Sequence, residues 1–251
     1  MIYGLYLSAT GIMTNTYRQD VIANNLANVE TAGFKRDVAD FKQRLTAAQE
    51  NRQPGSWSDP MLEGLGGGLL AMPNHIDFAQ GGIEETGSPL DVAIQGDGFF
   101  AVQDQRQTRL TRDGRFMVSN QGQLVLTSGQ PVLDSNSRPI NVSPDAPVSI
   151  DVDGEVSQNG QPVGRLGLFD VADRNALSKL GGGLLAVQDG VALQPTNAHF
   201  RTSFIEQSNV DPTTEMAELM DSQRHLEANA NMIRTQDSTL QLLVNNVGKI
   251  S

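Results

Sequence analysis

The chain has 251 residues, a net charge of −11 and no cysteine, which allows one large or two small cores and excludes a disulfide framework. One Trp, three Tyr and nine Phe argue against a large aromatic-lined substrate cleft. Residues 1–50 carry five basic and five acidic side chains, and residues 206–251 carry three and seven, so no basic patch is offered to nucleic acid or anionic lipid. Absence of cysteine also suits a protein that enters an oxidising compartment without needing disulfides. The first residues lack a basic segment and turn polar at Asn15, Tyr17, Arg18, Gln19 and Asp20, unlike a signal peptide. No apolar run approaches membrane-spanning length. These features predict either a cytoplasmic protein or export without a cleaved leader.

Residues 1–28 have helical spacing, with a weak apolar seam at Leu5, Ile12, Ile22 and Leu26. Gly4 and Gly11 each cost about 1 kcal/mol relative to Ala inside a helix, so this helix is expected to need a partner. Asn24, Asn25 and Asn28 lie beside the seam, where buried Asn sets register at some cost in stability. Thr31-Ala32-Gly33 breaks the helix, with Gly33 and Phe34 as the turn out of it, and a charged amphipathic stretch follows to about Ala48. Pro54, Gly55, Pro60 and Gly66-Gly67-Gly68 read as a loose linker or extended arm.

From about Gly82 the apolar period becomes two. Asp-Gly at 113, 153 and 189 and Asn-Gly at 159 favour hairpin turns, because Gly accepts positive φ. Strand-like runs fall at 115–119, 123–126, 148–152, 163–171 and 184–187. Asp211 then suits a helix N-cap, Pro212 the first helical position and Glu215 the first turn. Apolar positions step three and four through Met216, Leu219, Leu226, Ala230, Ile233, Leu240, Val244 and Val247, interrupted by Gln223 and Asp237. Gly248 is a natural stop. The expected fold is α+β: N- and C-terminal helices paired as a coiled coil, with a central antiparallel β-rich domain. Expected segments are 1–45 (N-terminal helix and motif), 46–84 (linker or arm), 85–204 (β-rich domain) and 205–251 (returning helix).

Catalytic patterns are weak. His75, His199 and His225 are far apart, with no ligand-like spacing, so neither metal nor cofactor is expected. The glycine runs at 65–69 and 180–184 lack the Lys and Ser/Thr that grip phosphate. Asp151-Val152-Asp153-Gly154-Glu155 lacks the ligand spacing of a calcium loop and reads as a hairpin with surface acids. Glu84, Glu85 and Asp91 are the acids that a glycan-processing or glycan-binding β-protein, the alternative of a different class, would have to use.

Four motifs in order carry a resemblance. Asn24-Asn25-Leu26-Ala27-Asn28 with Thr31-Ala32-Gly33-Phe34-Lys35 is similar to the N-terminal signature of the bacterial flagellar rod and hook family. Leu90-Asp91-Val92-Ala93-Ile94-Gln95-Gly96-Asp97-Gly98-Phe99-Phe100 resembles its central strand–turn motif. Leu110-Thr111-Arg112-Asp113-Gly114-Arg115-Phe116 resembles the next hairpin, and Glu206-Gln207-Ser208-Asn209-Val210-Asp211-Pro212 the C-terminal signature. The ending is more like that of the proximal rod subunits, with the distal rod or hook type as the alternative.

The resemblance implies a non-enzymatic subunit of the basal-body rod, without cofactor or small-molecule substrate and not embedded in membrane. It implies contacts with itself and other rod subunits, and export through the flagellar type III apparatus without a cleaved signal peptide. It also implies torque transmission through packed terminal helices, ordered on assembly. The expected interface comprises Leu5, Ile12, Ile22 and Leu26, the register residues Asn24, Asn25 and Asn28, and the Gly33-Phe34 turn. From the last helix it takes Met216, Leu219, Leu226, Ile233, Leu240 and Val244.

Overall fold

A computed structural model describes residues 2–45, 68–144, 146–196 and 198–247. An N-terminal helix, α1 (Ile2–Ala27), and a C-terminal helix, α2 (Pro212–Val247), flank a β-rich region, so the fold is α+β. The chain divides into a helical unit (1–26, 37–75 and 211–251) and a β unit (27–36 and 76–210).

Helix α2 starts where its capping chemistry requires. Asp211 accepts the Thr213 N–H at 3.1 Å and the Thr214 hydroxyl at 2.6 Å, which occupies donors left open at a helix start. These bonds hold the Asp211 carboxyl below its ordinary pKa, the Thr214 hydroxyl being the largest cause. At 36 residues, α2 is about 54 Å long. The charged stretch after Phe34 is extended rather than helical: in the helical unit Phe41–Gln43 pairs antiparallel with Leu69–Ala71. Tyr17 packs edge-on against Phe41, with ring centroids 6.3 Å apart, and donates its hydroxyl to Asn74 at 2.7 Å. Most of the arm read from Pro54, Gly55 and Pro60 lies outside the described residues.

The largest sheet of the β unit has six antiparallel strands in the order Leu177–Gly181, Leu184–Val187, Gln107–Thr111, Phe99–Asp104, Leu168–Val171, Leu193–Pro195. Alternation along Phe99–Asp104 sends Phe100 and Val102 into one core cluster and Phe99 and Ala101 into another, all fully buried. Phe100 meets Phe116 edge-on at 5.1 Å and stacks on Phe200 at 6.0 Å. A three-stranded sheet follows, Val148–Ile150, Glu155–Gln158 and Gln161–Arg165. Asn159 and Gly160, at φ of 52° and 75°, form the turn between its last two strands, as Asn-Gly predicts. Asp151 accepts the backbone N–H groups of Asp153 and Glu155, which makes that acidic run the other hairpin turn.

Two readings need correction. The run 163–171 is two strands, broken where Gly167 passes so close to the Asp134 carbonyl that a Cβ would lie 2.6 Å from its oxygen. Asp113-Gly114 is no hairpin tip: a Cβ on Gly114 would sit 1.8 Å from the Val92 carbonyl oxygen. The tight turn nearby is instead at Gln105 and Arg106, both at positive φ with no glycine between them.

Candidate functional site

In the helical unit, α1 and α2 run antiparallel in constant register. Gly4 faces Gln236, Gly11 faces Asn229 and Asn25 faces Glu215, and each pair of numbers sums to 240. A Cβ on Gly4 would lie 2.5 Å from the Gln236 side-chain nitrogen, and one on Gly11 2.8 Å from that of Asn229. The glycines therefore have a packing role: they leave notches for amide side chains of the opposite helix. Between them the Ser222 hydroxyl donates to the Asn15 carbonyl at 3.2 Å.

The inward side of α2 has two seven-residue rows. Leu219, Leu226, Ile233 and Leu240 are half-buried, as are Asn229 and Gln236, while Glu215 and Ser222 are buried. The second row is thus Glu215, Ser222, Asn229 and Gln236, one residue ahead of the Met216, Gln223, Ala230 and Asp237 read from apolar spacing. Met216 and Val244 are 48% and 71% exposed. On α1, Ile22 is buried, Leu5, Ile12 and Leu26 are half-buried, and Asn24 is exposed. Buried Asn25 donates to the Asp37 carbonyl at 2.8 Å, accepts its N–H at 2.9 Å and reaches Glu215 at 3.4 Å. Asn28 accepts the Thr31 hydroxyl at 3.2 Å.

In the β unit three of the motifs meet at the carboxylate of Glu206, and the fourth joins through the Gly96 carbonyl bound by Arg112. The carboxylate accepts Lys35 Nζ at 2.5 Å, Arg112 Nη1 at 3.0 Å and the Gly81 N–H at 3.1 Å. All three charged side chains are buried. Lys35 also donates to the Ala79 carbonyl at 2.8 Å, and Arg112 to the Gly96 carbonyl at 2.9 Å, with its guanidinium 5.1 Å from the Phe99 ring centre. The Glu206 carbonyl accepts the Gly33 N–H at 2.7 Å. Gly33 has φ of +67° and lies against Arg112, where a Cβ would come within 2.4 Å of the backbone. Burial lowers the pKa of Lys35; Glu206 opposes this shift and Arg112 adds to it. Buried ions are stable only when paired and hydrogen-bonded; here each cation meets the Glu206 carboxylate, while the buried Arg112 Nε has no hydrogen-bond partner among the described residues. The apolar-seam reading missed Glu215, Ser222, Asn229 and Gln236 because the signal is polar. Lys35, Arg112 and Glu206 stood inside the quoted motifs, and only their mutual contact was invisible.

Two of the three acids of the alternative reading, Glu84 and Asp91, are bound by neighbouring side chains. Glu84 accepts the Gln207 amide and Asp91 the Thr86 hydroxyl, both at 2.7 Å. Among the described residues no cluster of His, Asp or Glu has the arrangement of a metal site, and no helix is long and apolar enough to cross a membrane.

Three family models match: the flagella basal body rod protein model over residues 5–35, the flagellar hook protein FlgE/F/G D1 domain over 93–158, and the flagellar basal body rod FlgEFG protein C-terminal model over 201–246. Flagellar basal-body rod protein FlgF of Caulobacter vibrioides is 36% identical, with 98% of each chain covered. FlgG of Bacillus subtilis is 34% identical over 98% of this chain and 99% of its own, and FlgG of Buchnera aphidicola 33% identical over 97% and 99%. With three family models in chain order and full-length relatives above 30% identity, the chain belongs to the flagellar basal-body rod protein family.

Proposed function

We propose that this chain is a structural, non-enzymatic subunit of the bacterial flagellar rod that assembles through its terminal helices and transmits torque. The observation that carries this reading is the apolar surface left on α1 and α2. Met13 is 72% exposed, Met220 55%, Met232 54% and Leu242 64%, with Tyr6, Leu7, Met216, Leu243 and Val244 also exposed. Burial of such residues gains roughly 25 cal/mol per Å², so neighbouring copies and other rod subunits are the natural cover. Within one subunit the helices form an antiparallel coiled coil whose polar row sets register; between subunits the outward apolar residues supply affinity. Asn24 and Val244 belong to this intersubunit face. The chain reaches the rod through the flagellar type III export apparatus, without a cleaved leader.

Complementation of a deletion strain tests the reading. Export of the uncut chain, incorporation into basal bodies and restored swimming are expected. A strain that swims normally without the gene would overturn it. Proximal placement, as for an FlgF-type subunit, predicts loss of the whole rod beyond the proximal segment. Basal bodies that lose only the distal part would assign the FlgG type.

A further inference from the structure

We propose that the β unit contains a peptide-binding cleft for a Gly-aromatic-Lys strap, filled in the folded chain by residues 29–36, and that the unit completes its fold only when the strap is seated. Residues 37–75 belong to the helical unit and separate the strap from the rest of the β unit along the sequence. It is nevertheless seated deeply: Ala32, Phe34 and Lys35 are 3%, 7% and 3% exposed.

The cleft reads both backbone and side chains. Besides the Gly33 bond, the Phe34 carbonyl accepts the Asn209 N–H at 3.3 Å. The Arg36 N–H donates to the Asn209 side chain at 2.7 Å, and the Arg36 carbonyl accepts the Asp77 N–H at 2.9 Å. Position 33 admits only glycine, because of its positive φ and its contact with the Arg112 backbone. The Phe34 ring lies 4.0 Å from the Lys179 ammonium. The Lys35 ammonium meets a carboxylate already held by Arg112 and Gly81. An empty cleft would strip partners from the Glu206 carbonyl, the Asn209 backbone and the Glu206 carboxylate, groups that need them when buried. The ligand class is therefore a short peptide that turns at its glycine, of the form small–Gly–aromatic–Lys.

Hydrogen exchange on the full chain tests this, read at the amides of Leu124, Val132 and Ile140, which bond within the β unit and not to the strap. Gly33→Val, which cannot seat, should speed their exchange about 100-fold or more, and Lys35→Met about tenfold or more. A synthetic peptide of residues 27–37 should restore protection in both variants. The same peptide carrying Gly33→Val should not. Unchanged exchange in Lys35→Met would overturn the coupling. Exchange that the native peptide fails to slow at about 1 mM, a concentration that detects even weak binding, would overturn the cleft. If Gly33→Val does not fold, the Lys35→Met pair of measurements decides alone. Motility plays no part in the readout, so failure here leaves the rod reading untouched.

Discussion

The helix pair and the β unit solve opposite problems. In the β unit Phe99, Phe100, Leu110 and Leu124 are fully buried, and even the buried charges at Glu206 are paired within the unit. In the helical unit the inward rows mix half-buried aliphatics with Glu215, Ser222, Asn229 and Gln236, and much apolar surface faces outward. A dry core maximises stability. A polar, glycine-notched seam gives up stability for a single antiparallel register. One part of the chain buries its apolar side chains within itself, and the other leaves many of them exposed, which is the surface the proposed assembly would cover.

Removing the β unit's central charge should have the largest effect. Glu206→Ala leaves two buried cations together, and breaking a buried pair costs about 3–5 kcal/mol. Urea unfolding of the β unit should show that loss; a loss under 1 kcal/mol would mean that the cluster is not structurally important. Next comes Leu226→Asp or Ile233→Asp, which should abolish swimming and incorporation. The β unit's unfolding free energy should stay within about 0.5 kcal/mol, the tolerance for separated sites. Normal swimming by either variant would refute the seam.

A smaller effect is the pH dependence at Lys35. Its folded-state pKa lies below the ordinary 10.5, so the unfolded chain holds the proton more tightly. The charged amine therefore stabilises the fold less than the neutral amine would, and that deficit fades as pH rises through the lowered pKa towards 10.5. The wild type should therefore gain stability relative to Lys35→Met across that alkaline window; parallel profiles would contradict the assignment. At Asp211 the sign is reversed. Its lowered pKa means that the cap is intact above the ordinary carboxylate range and weakens as pH falls through the lowered value. Circular dichroism should show acid-induced fraying of α2 that is absent in Asp211→Asn. The smallest change is expected for Gly4→Ala. A gain of about 1 kcal/mol in helix propensity is offset by displacement of the flexible Gln236 amide. The two nearly cancel, and a thermal melt of the helices should move little.

Both helices were legible because their signals are local. The α2 start was read from Asp211 and Pro212, and the period of the following residues was unmistakable. Turn chemistry likewise located the Asn159-Gly160 hairpin. The turn at Gln105-Arg106 was not legible, because neither residue favours positive φ and flanking strand pairing imposes it. The second inward row of α2 lies one residue from the apolar periodicity for a related reason. Apolar periodicity looks for Met216, whereas the actual neighbour on α1 is a glycine or an amide, which selects a polar partner.

Local sequence carries what depends on neighbours within a few residues: where helices start, where the period changes from 3.6 to two, and the ordered motifs that mark the family. The tertiary structure alone decided that Gly33, Lys35, Arg112 and Glu206, up to 173 positions apart, share one buried cluster. It also decided that Gly4 and Gly11 are notches rather than weak points. The reason is physical: the worth of a buried charge or a missing side chain is set by what it touches. Those contacts come from chain segments far away in sequence.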